Sequence, residues 1–207
     1  MRSHARAVVI GGGVVGSNAA RVAAGMGADV TILDQSLSRL RYLDDVFGNI
    51  FKNGYSNSAS TAELAQQADM IIGAVLIPGA ATPKLIYQDQ LASLKPGAAL
   101  VDVAIDQGGC IATSRETTHT NPTVTIHGVQ HYAVGNMPGA VPFTSTEALV
   151  SVTLPYIVGI AGRGLEEAVT ERPELLSGLN TVQGAVCHPG VAKALDLPPR
   201  HPMACLR

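Results

Sequence analysis

The 207-residue sequence has no tryptophan, and aromatic residues make up only 4% of it. Its core must therefore be closed by alanine, valine and 22 glycines, a composition suited to helices lying tightly on a sheet. Charge is sparse as well: 14 basic and 16 acidic residues leave a formal net charge of −2, and no basic run occurs. That argues against a nucleic-acid surface and against an anionic-membrane surface. The three cysteines, Cys110, Cys187 and Cys205, are odd in number and lack CxxC spacing, so they read as free thiols in a reducing compartment and not as a disulfide or zinc framework. No signal peptide precedes the first apolar segment, and no uncharged apolar run is long enough to cross a bilayer, so a soluble, cytoplasmic protein is expected. The 46% hydrophobic content and the length suit one full α/β domain with a smaller appendage.

What is present is concentrated in the first thirty-five residues. Ala7-Val8-Val9-Ile10 is a short β-branched run of the kind a buried parallel strand needs. Gly11-Gly12-Gly13-Val14-Val15-Gly16 follows, then an alanine-rich stretch, Asn18 to Met26, that reads as a helix. Strand, glycines and helix in this order make a dinucleotide-binding turn. Gly11 permits the tight turn, Gly13 lets the backbone approach a pyrophosphate, and Gly16 lets the helix pack against the strand. The helix N-terminus offers N–H groups and a positive dipole end to phosphates. A second strand, Asp29 to Leu33, ends at Asp34, the acidic residue expected about 20 positions on to accept from the adenosine ribose hydroxyls. A carboxylate there repels a 2′-phosphate and favours NAD over NADP. Arg39 is grouped with the cofactor residues because its charge would soften that repulsion, although it also reads as a solvated helix residue. A phosphate-free βα turn, with Asp34 capping the helix from Ser36 to Phe47, is the competing reading.

Further along, Gly48 to Tyr55 is a candidate third strand, Thr61 to Ala68 a helix, and Met70 to Val75 a central strand. The loop Ile77-Pro78-Gly79-Ala80 would then face the ligand crevice, since such loops follow the carboxyl ends of strands. Gln88 to Leu94 reads as a short helix stopped by Lys95-Pro96-Gly97. Ala99 to Ala104 is the next strand, followed by Ile105-Asp106-Gln107-Gly108-Gly109, and Thr123 to His127 reads as the last. Lys84 and Lys95 read as ordinary solvated charges, and Cys110 as a filler after the glycine pair. The alternation points to an α/β fold, a Rossmann-type doubly wound parallel sheet with a C-terminal helical extension. The division is placed at residue 142. Thr144 to Ile160 is a helical candidate kinked by Pro155, Leu165 to Glu171 and Pro173 to Leu176 are shorter pieces, and the stretch Leu197 to Pro202 is irregular.

Several separated stretches carry a resemblance: GGGVVGSNAARVAAGMGADVTILD at Gly11–Asp34, IGAVLIPGA at Ile72–Ala80, VDVAIDQGG at Val101–Gly109 and HYAVGNMPGAVP at His131–Pro142, continued by TLPY at Thr153–Tyr156 and GLN at Gly178–Asn180. Together they resemble the nucleotide-binding and C-terminal part of alanine dehydrogenase, a family related here to the NAD-binding component of nicotinamide nucleotide transhydrogenase. The resemblance implies NAD-dependent oxidative deamination of L-alanine to pyruvate and ammonia. It also implies that Gly11, Gly13, Val14, Val15 and Gly16 hold the pyrophosphate, that Asp34 holds the adenosine ribose, and that Ser56, Val75 and Leu76 surround the adenine and its ribose. Ile105, Asp106, Asn136 and Met137 fall at the nicotinamide end, with Asp106 counted as catalytic.

The departures shape the functional expectation. Complete members carry a segment before the nucleotide domain that supplies the carboxylate-gripping arginine and lysine and a proton-handling histidine, and this sequence starts at Met1, just before the first strand. Phe143 stands where the family has a basic residue, and Ser151 where it has asparagine. Among the histidines near the expected crevice, His127 ends a strand and His131 belongs to the family pattern, so neither reads as a replacement base. The expectation is the NAD-binding part of an alanine dehydrogenase, inactive alone. Such a chain would take L-alanine or pyruvate only when completed by an amino-terminal half, would form a homo-oligomer, and would have no nucleic-acid or membrane partner and no metal. A transhydrogenase-type hydride carrier and a non-catalytic NAD-binding module are the alternatives.

Overall fold

The computed structural model describes residues 4–77 and 80–206. Pro78 and Gly79, from the loop expected to face the crevice, lie outside the described residues. Two compact units are present, one formed by residues 4–77 and 81–137 and the other by residues 80 and 138–206.

In the first unit β1 (Arg6–Ile10) is buried on both faces, which is why its sequence is a continuous apolar run and not an alternating one. Val8 and Ile10 join Leu33, Ile71 and Leu100 on one side of the sheet, while Ala7 and Val9 join Val30, Ile32 and Ile72 on the other. Helices α1 (Val14–Gly25) and α2 (Leu37–Phe47) supply Ala20 and Leu43 to the second layer. Helix α3 (Ser58–Gln67) supplies Ala65 to the first layer. With β2 (Asp29–Asp34), β3 (Lys52–Tyr55), β4 (Met70–Gly73), β5 (Ala99–Asp102), β6 (Thr123–Ile126) and β7 (Val129–Tyr132), the sheet order is β3-β2-β1-β4-β5-β7-β6. The chain moves outward from β1 through β2 to β3 and returns to the other flank of β1 as β4. The β1/β4 boundary is therefore the topological switch point, where open α/β sheets place their ligand crevice.

Three local expectations change. Thr123 to Ile126 is neither the last strand nor parallel: it pairs antiparallel with β7, which the sequence reading had missed. The connection is the two-residue turn His127-Gly128, with φ of 50° and 77°, the positive-φ pair a tight hairpin requires. The short helix expected from Gln88 to Leu94 is present as a 3-10 helix and ends at Ser93. The strand expected from Met70 to Val75 stops at Gly73, which frees Ala74 to Ile77 to turn over the carboxyl end of β1.

The second unit contains α4 (Pro142–Arg163), α5 (Leu165–Glu171), the hairpin β8 (Thr181–Val182) and β9 (Ala185–Val186), α6 (Pro189–Leu195) and α7 (Pro202–Cys205). Pro155 lies inside α4, which continues for about two more turns beyond it. By length and composition alone α4 is apolar enough to cross a bilayer, with a mean hydropathy of 1.3, which qualifies the reading of the sequence as free of such segments. The helix is interrupted by Glu147, ends at Arg163 and buries none of its residues.

Candidate functional site

The site begins where β1 ends. Gly11 adopts φ of 103° and its N–H donates to Leu33 O at 2.8 Å, so the chain turns sharply between β1 and α1. A Cβ on Gly11 would lie 2.6 Å from Ala74 O, and one on Gly16 would lie 1.8 Å from Gly11 O. These two glycines are fixed by close packing. Gly13 differs: its φ is −64° and a Cβ there would meet nothing within 4 Å. Its bareness keeps the entrance to α1 open, and no side chain caps that helix or places an acid in its first turn. The N–H groups of the first turn, among them those of Val14 and Val15, are thus left for a ligand.

Asp34 ends β2 half-buried. Its Oδ2 accepts the Gly12 N–H at 2.7 Å and its Oδ1 accepts the Ser36 N–H at 2.8 Å. Each oxygen retains acceptor capacity for a ribose hydroxyl. The cap of α2 is Ser36 and not Asp34, which removes the capping role from the competing reading. Gly12 was not singled out from sequence, yet a Cβ there would press on Leu43 Cδ1 at 2.8 Å and Asp34 Oδ2 at 3.2 Å. Arg39 is not a free solvated cation. Its Nε donates to the Gly12 carbonyl, its Nη2 reaches Ser17 Oγ at 3.5 Å, and its guanidinium stacks on Tyr42 at 4.6 Å. It braces the glycine turn from outside.

A cavity of about 540 Å³ lies above this edge, lined by Gly11, Gly13, Val14, Val15, Asp34, Ser56, Val75 and Leu76 of the expected set. Leu33, Gln35, Ile77, Pro83 and Leu85 complete much of its wall. Gly16 and Arg39 lie outside that lining, acting by packing and bracing. Ser56 is buried, and its N–H donates to Asp34 O at 2.9 Å, so the ends of β2 and β3 are held level.

The remaining expected residues form a second cluster at the carboxyl ends of β5 and β7. Ile105 is buried in a 3-10 turn, and the exposed Asp106 accepts the Asn136 N–H through Oδ1 at 2.9 Å. Asn136 has φ of 50°, a left-handed conformation, and its carbonyl lies 3.2 Å from His119 Nε2. Asn136 precedes Met137 in the chain, so the four expected residues do converge. Asp102 underlies them and was missed. It is fully buried, with Oδ1 accepting the Cys110 N–H at 3.1 Å and Oδ2 accepting the Ile111 N–H at 3.0 Å. Its carboxylate leaves room only for glycine at 109, where a Cβ would lie 2.6 Å from Oδ2. Lys84, read as a solvated charge, donates to the carbonyls of Gly108 and Gly109. It clamps the loop that presents Asp106.

Cys110 and His131 are both enclosed and partnered. Cys110 is fully buried over Gly73, and burial next to Asp102 pushes its thiol up to about 12. His131 is fully buried, with Nε2 2.8 Å from Thr113 Oγ1 and Nδ1 3.2 Å from Val129 O. Burial holds its pKa below the ordinary imidazole range. A carbonyl oxygen can only accept, so Nδ1 carries the proton and Nε2 accepts from the threonine.

An open, mostly parallel sheet with a glycine turn at its switch point, an uncapped helix above it and a carboxylate ending β2 defines a dinucleotide-binding Rossmann domain. Residues 2–189 match the family described as alanine dehydrogenase/PNT, C-terminal domain, and the chain belongs to that family. It is 55% identical over 195 residues to the alanine dehydrogenase of Methanococcus maripaludis, covering 94% of this chain and 52% of that protein. With the alanine dehydrogenase of Bacillus subtilis it shares 51% over 194 residues, covering 93% and 51% respectively. The solved structure of an L-alanine dehydrogenase superposes with a TM-score of 0.80 at 45% identity, over 93% of this chain and 53% of that one. A transhydrogenase from Sinorhizobium meliloti, at TM-score 0.69 and 23% identity over 79% of this chain and 48% of that one, shares the fold. The chain thus spans about half the length of the curated relatives it matches. NAD is the cofactor indicated by this membership, and the open cradle at Gly13 with the spare acceptors of Asp34 fits it.

Proposed function

We propose that this chain is the NAD-binding half of an L-alanine dehydrogenase, acting in oxidative deamination of L-alanine to pyruvate and ammonia. The observation that carries this reading is the cavity bounded by the glycine turn and Asp34, in a chain 55% identical to an alanine dehydrogenase. The first-turn N–H groups after Gly13 would receive the pyrophosphate, and Asp34 the adenosine ribose, with Ser56, Val75 and Leu76 against the adenine side. Ile105, Asp106, Asn136 and Met137 would hold the nicotinamide end. NAD, when bound, supplies a hydride acceptor on its nicotinamide ring.

Deamination also needs a carboxylate anchor and a base for the amino acid. None of the cavity residues is a lysine, arginine or histidine. Those groups would come from an amino-terminal half, so the domain division proposed is residues 1–142 for NAD and 143–207 for the linker helix and catalytic-domain remnant. A cytoplasmic homo-oligomer without nucleic-acid or membrane partners fits the composition. The test is NADH titration of the chain alone, followed by steady-state assay with L-alanine and NAD, with and without an added amino-terminal half. Binding without turnover, and turnover on adding the second half, is the expected result. Robust turnover by the chain alone would refute the division of labour, and absence of NADH binding would refute the site.

A further inference from the structure

The end of the chain brings together two thiols that the dinucleotide site does not use. Cys187 follows β9, its N–H donates to Asn180 O at 2.8 Å, and its side chain is buried. Cys205 closes α7, beyond residue 189, where the family match stops. The tail returns to the hairpin at two points: α7 packs on β8, and the Arg200 N–H donates to Val186 O at 2.8 Å. As a result α7, which ends at Cys205, lies beside the hairpin that leads into Cys187, although α6 and the Pro198-Pro199 segment separate the two thiols in sequence. Both are free thiols in this structure.

We propose that Cys187 and Cys205 form a reversible disulfide, a redox modification site that staples the C-terminal tail to the β8–β9 hairpin, with a small-molecule disulfide as the oxidant. The half-buried Cys205 reacts first. Its thiolate attacks one sulfur of the oxidant; that S–S bond breaks, a mixed disulfide forms on Cys205, and one thiolate leaves and takes up a proton. The Cys187 thiolate then attacks Cys205 Sγ, the Cys187–Cys205 bond forms, and the second small thiol leaves with the other proton. Two electrons and two protons pass from the pair to the oxidant. The order follows from exposure: burial, with the neighbouring Cys205 thiol, raises the pKa of Cys187, which suits a resolving thiol better than an attacking one. Cys110, fully buried and partnered by Asp102, is the internal control.

The test uses the full chain, treated with oxidised glutathione, alkylated under denaturing conditions and cut with trypsin. Lys193 and Arg200 lie between the two cysteines, so trypsin parts them unless a disulfide holds the peptides together. Free thiols should fall from three to one, and the Cys187 and Cys205 peptides should appear as one species lighter by two hydrogens, which dithiothreitol separates. In C187S the reaction should stop at a glutathione adduct on Cys205, and C205S should lose the cross-link. A stable glutathione adduct on Cys205 of the wild-type chain without a cross-link would overturn the proposal. So would a cross-link that joins two chains or engages Cys110. The decisive measurement is on the wild-type chain and does not depend on either variant folding.

Discussion

Replacing Asp34 with alanine separates its two duties. The carboxylate accepts two backbone N–H bonds, from Gly12 at 2.7 Å and Ser36 at 2.8 Å, and these hold the glycine turn to the start of α2. Charged hydrogen bonds contribute about 1.5–3 kcal/mol each, and the half-exposed position puts these at the low end, so D34A should cost about 2–4 kcal/mol of stability. The same oxygens have acceptor sites free for the ribose. Loss of one such contact weakens NADH binding by about 10- to 100-fold, since each 1.4 kcal/mol is a factor of ten. NADPH should lose less, because the variant also removes a charge that repels its 2′-phosphate, so the preference between the two should collapse. With no tryptophan in the chain, the readout is calorimetry or the fluorescence of NADH itself, taken at a temperature where denaturant titration shows D34A still folded. Wild-type chain that binds NADPH as tightly as NADH would refute the reasoning, as would folded D34A with unchanged NADH affinity.

Gly16→Ala and Gly13→Ala should diverge: the first drives a Cβ to 1.8 Å from Gly11 O and should lower the urea midpoint by the equivalent of about 1–3 kcal/mol or more, while the second should leave stability within about 0.5 kcal/mol and weaken NADH binding. Equal effects on stability would undo the assignment of one glycine to packing and the other to access. Asp102→Asn keeps the shape but offers an NH₂ to one of two backbone N–H groups, so a loss of about 1–3 kcal/mol, seen by denaturant titration, is expected. His131 sets a pH dependence. Its folded pKa lies below the unfolded value near 6.5, so its contribution is present above about pH 6.5 and is lost as pH falls from there towards the folded pKa, where the unfolded chain binds the proton first. Urea midpoints between pH 5 and 8 should show that loss, and His131→Gln should reduce it; an unchanged slope in the variant would assign the effect to other groups.

Asp34 was legible because its role is tied to a fixed distance from the glycine turn, and the turn to a strand and a helix with their own periodicities. Asp102 was not, although it also ends an apolar parallel strand. Whether a strand-terminal carboxylate faces a ligand or folds inward onto backbone N–H groups depends on the loop that follows, and only the coordinates show Cys110 and Ile111 turning back to it. Lys84 was misread for a related reason. Its partners are carbonyls freed by Gly108 and Gly109, both at positive φ, and backbone acceptors leave no mark in sequence. The hairpin at His127-Gly128 did leave a mark. A residue–glycine pair between two short β-rich runs is a turn signal, and reading His127 as part of the strand concealed β7. Arg39 and Gly12 show the same limit: each acts through a close approach that spacing along the chain does not encode.

The proposed division of binding and chemistry between two halves is supported by what the site is made of. Its cavity offers backbone N–H groups, apolar walls, the Asp34 carboxylate and the side chains of Gln35 and Ser56, a set suited to holding a dinucleotide and without a lysine, arginine or histidine to serve an amine. His131 and His119 are already engaged: His131 spends its lone pair on Thr113 inside the core, and His119 lies 3.2 Å from the Asn136 carbonyl. Moving His119 into a catalytic role would give up its contact with Asn136, the residue that bonds Asp106, and moving His131 would empty a core position. On the proposed function a base would approach from outside the cluster, over the exposed face where Asp106 and Asn136 meet. The second unit, taken by itself, presents an apolar helix surface. Phe143, Leu149, Val152 and Val158 of α4 are each 60% exposed or more, a density of apolar contact that a helix in water leaves uncovered at a cost of about 25 cal/mol per Å². A helix apolar over so much of its surface is costly to leave in water, and on the proposed function the amino-terminal half would cover part of it.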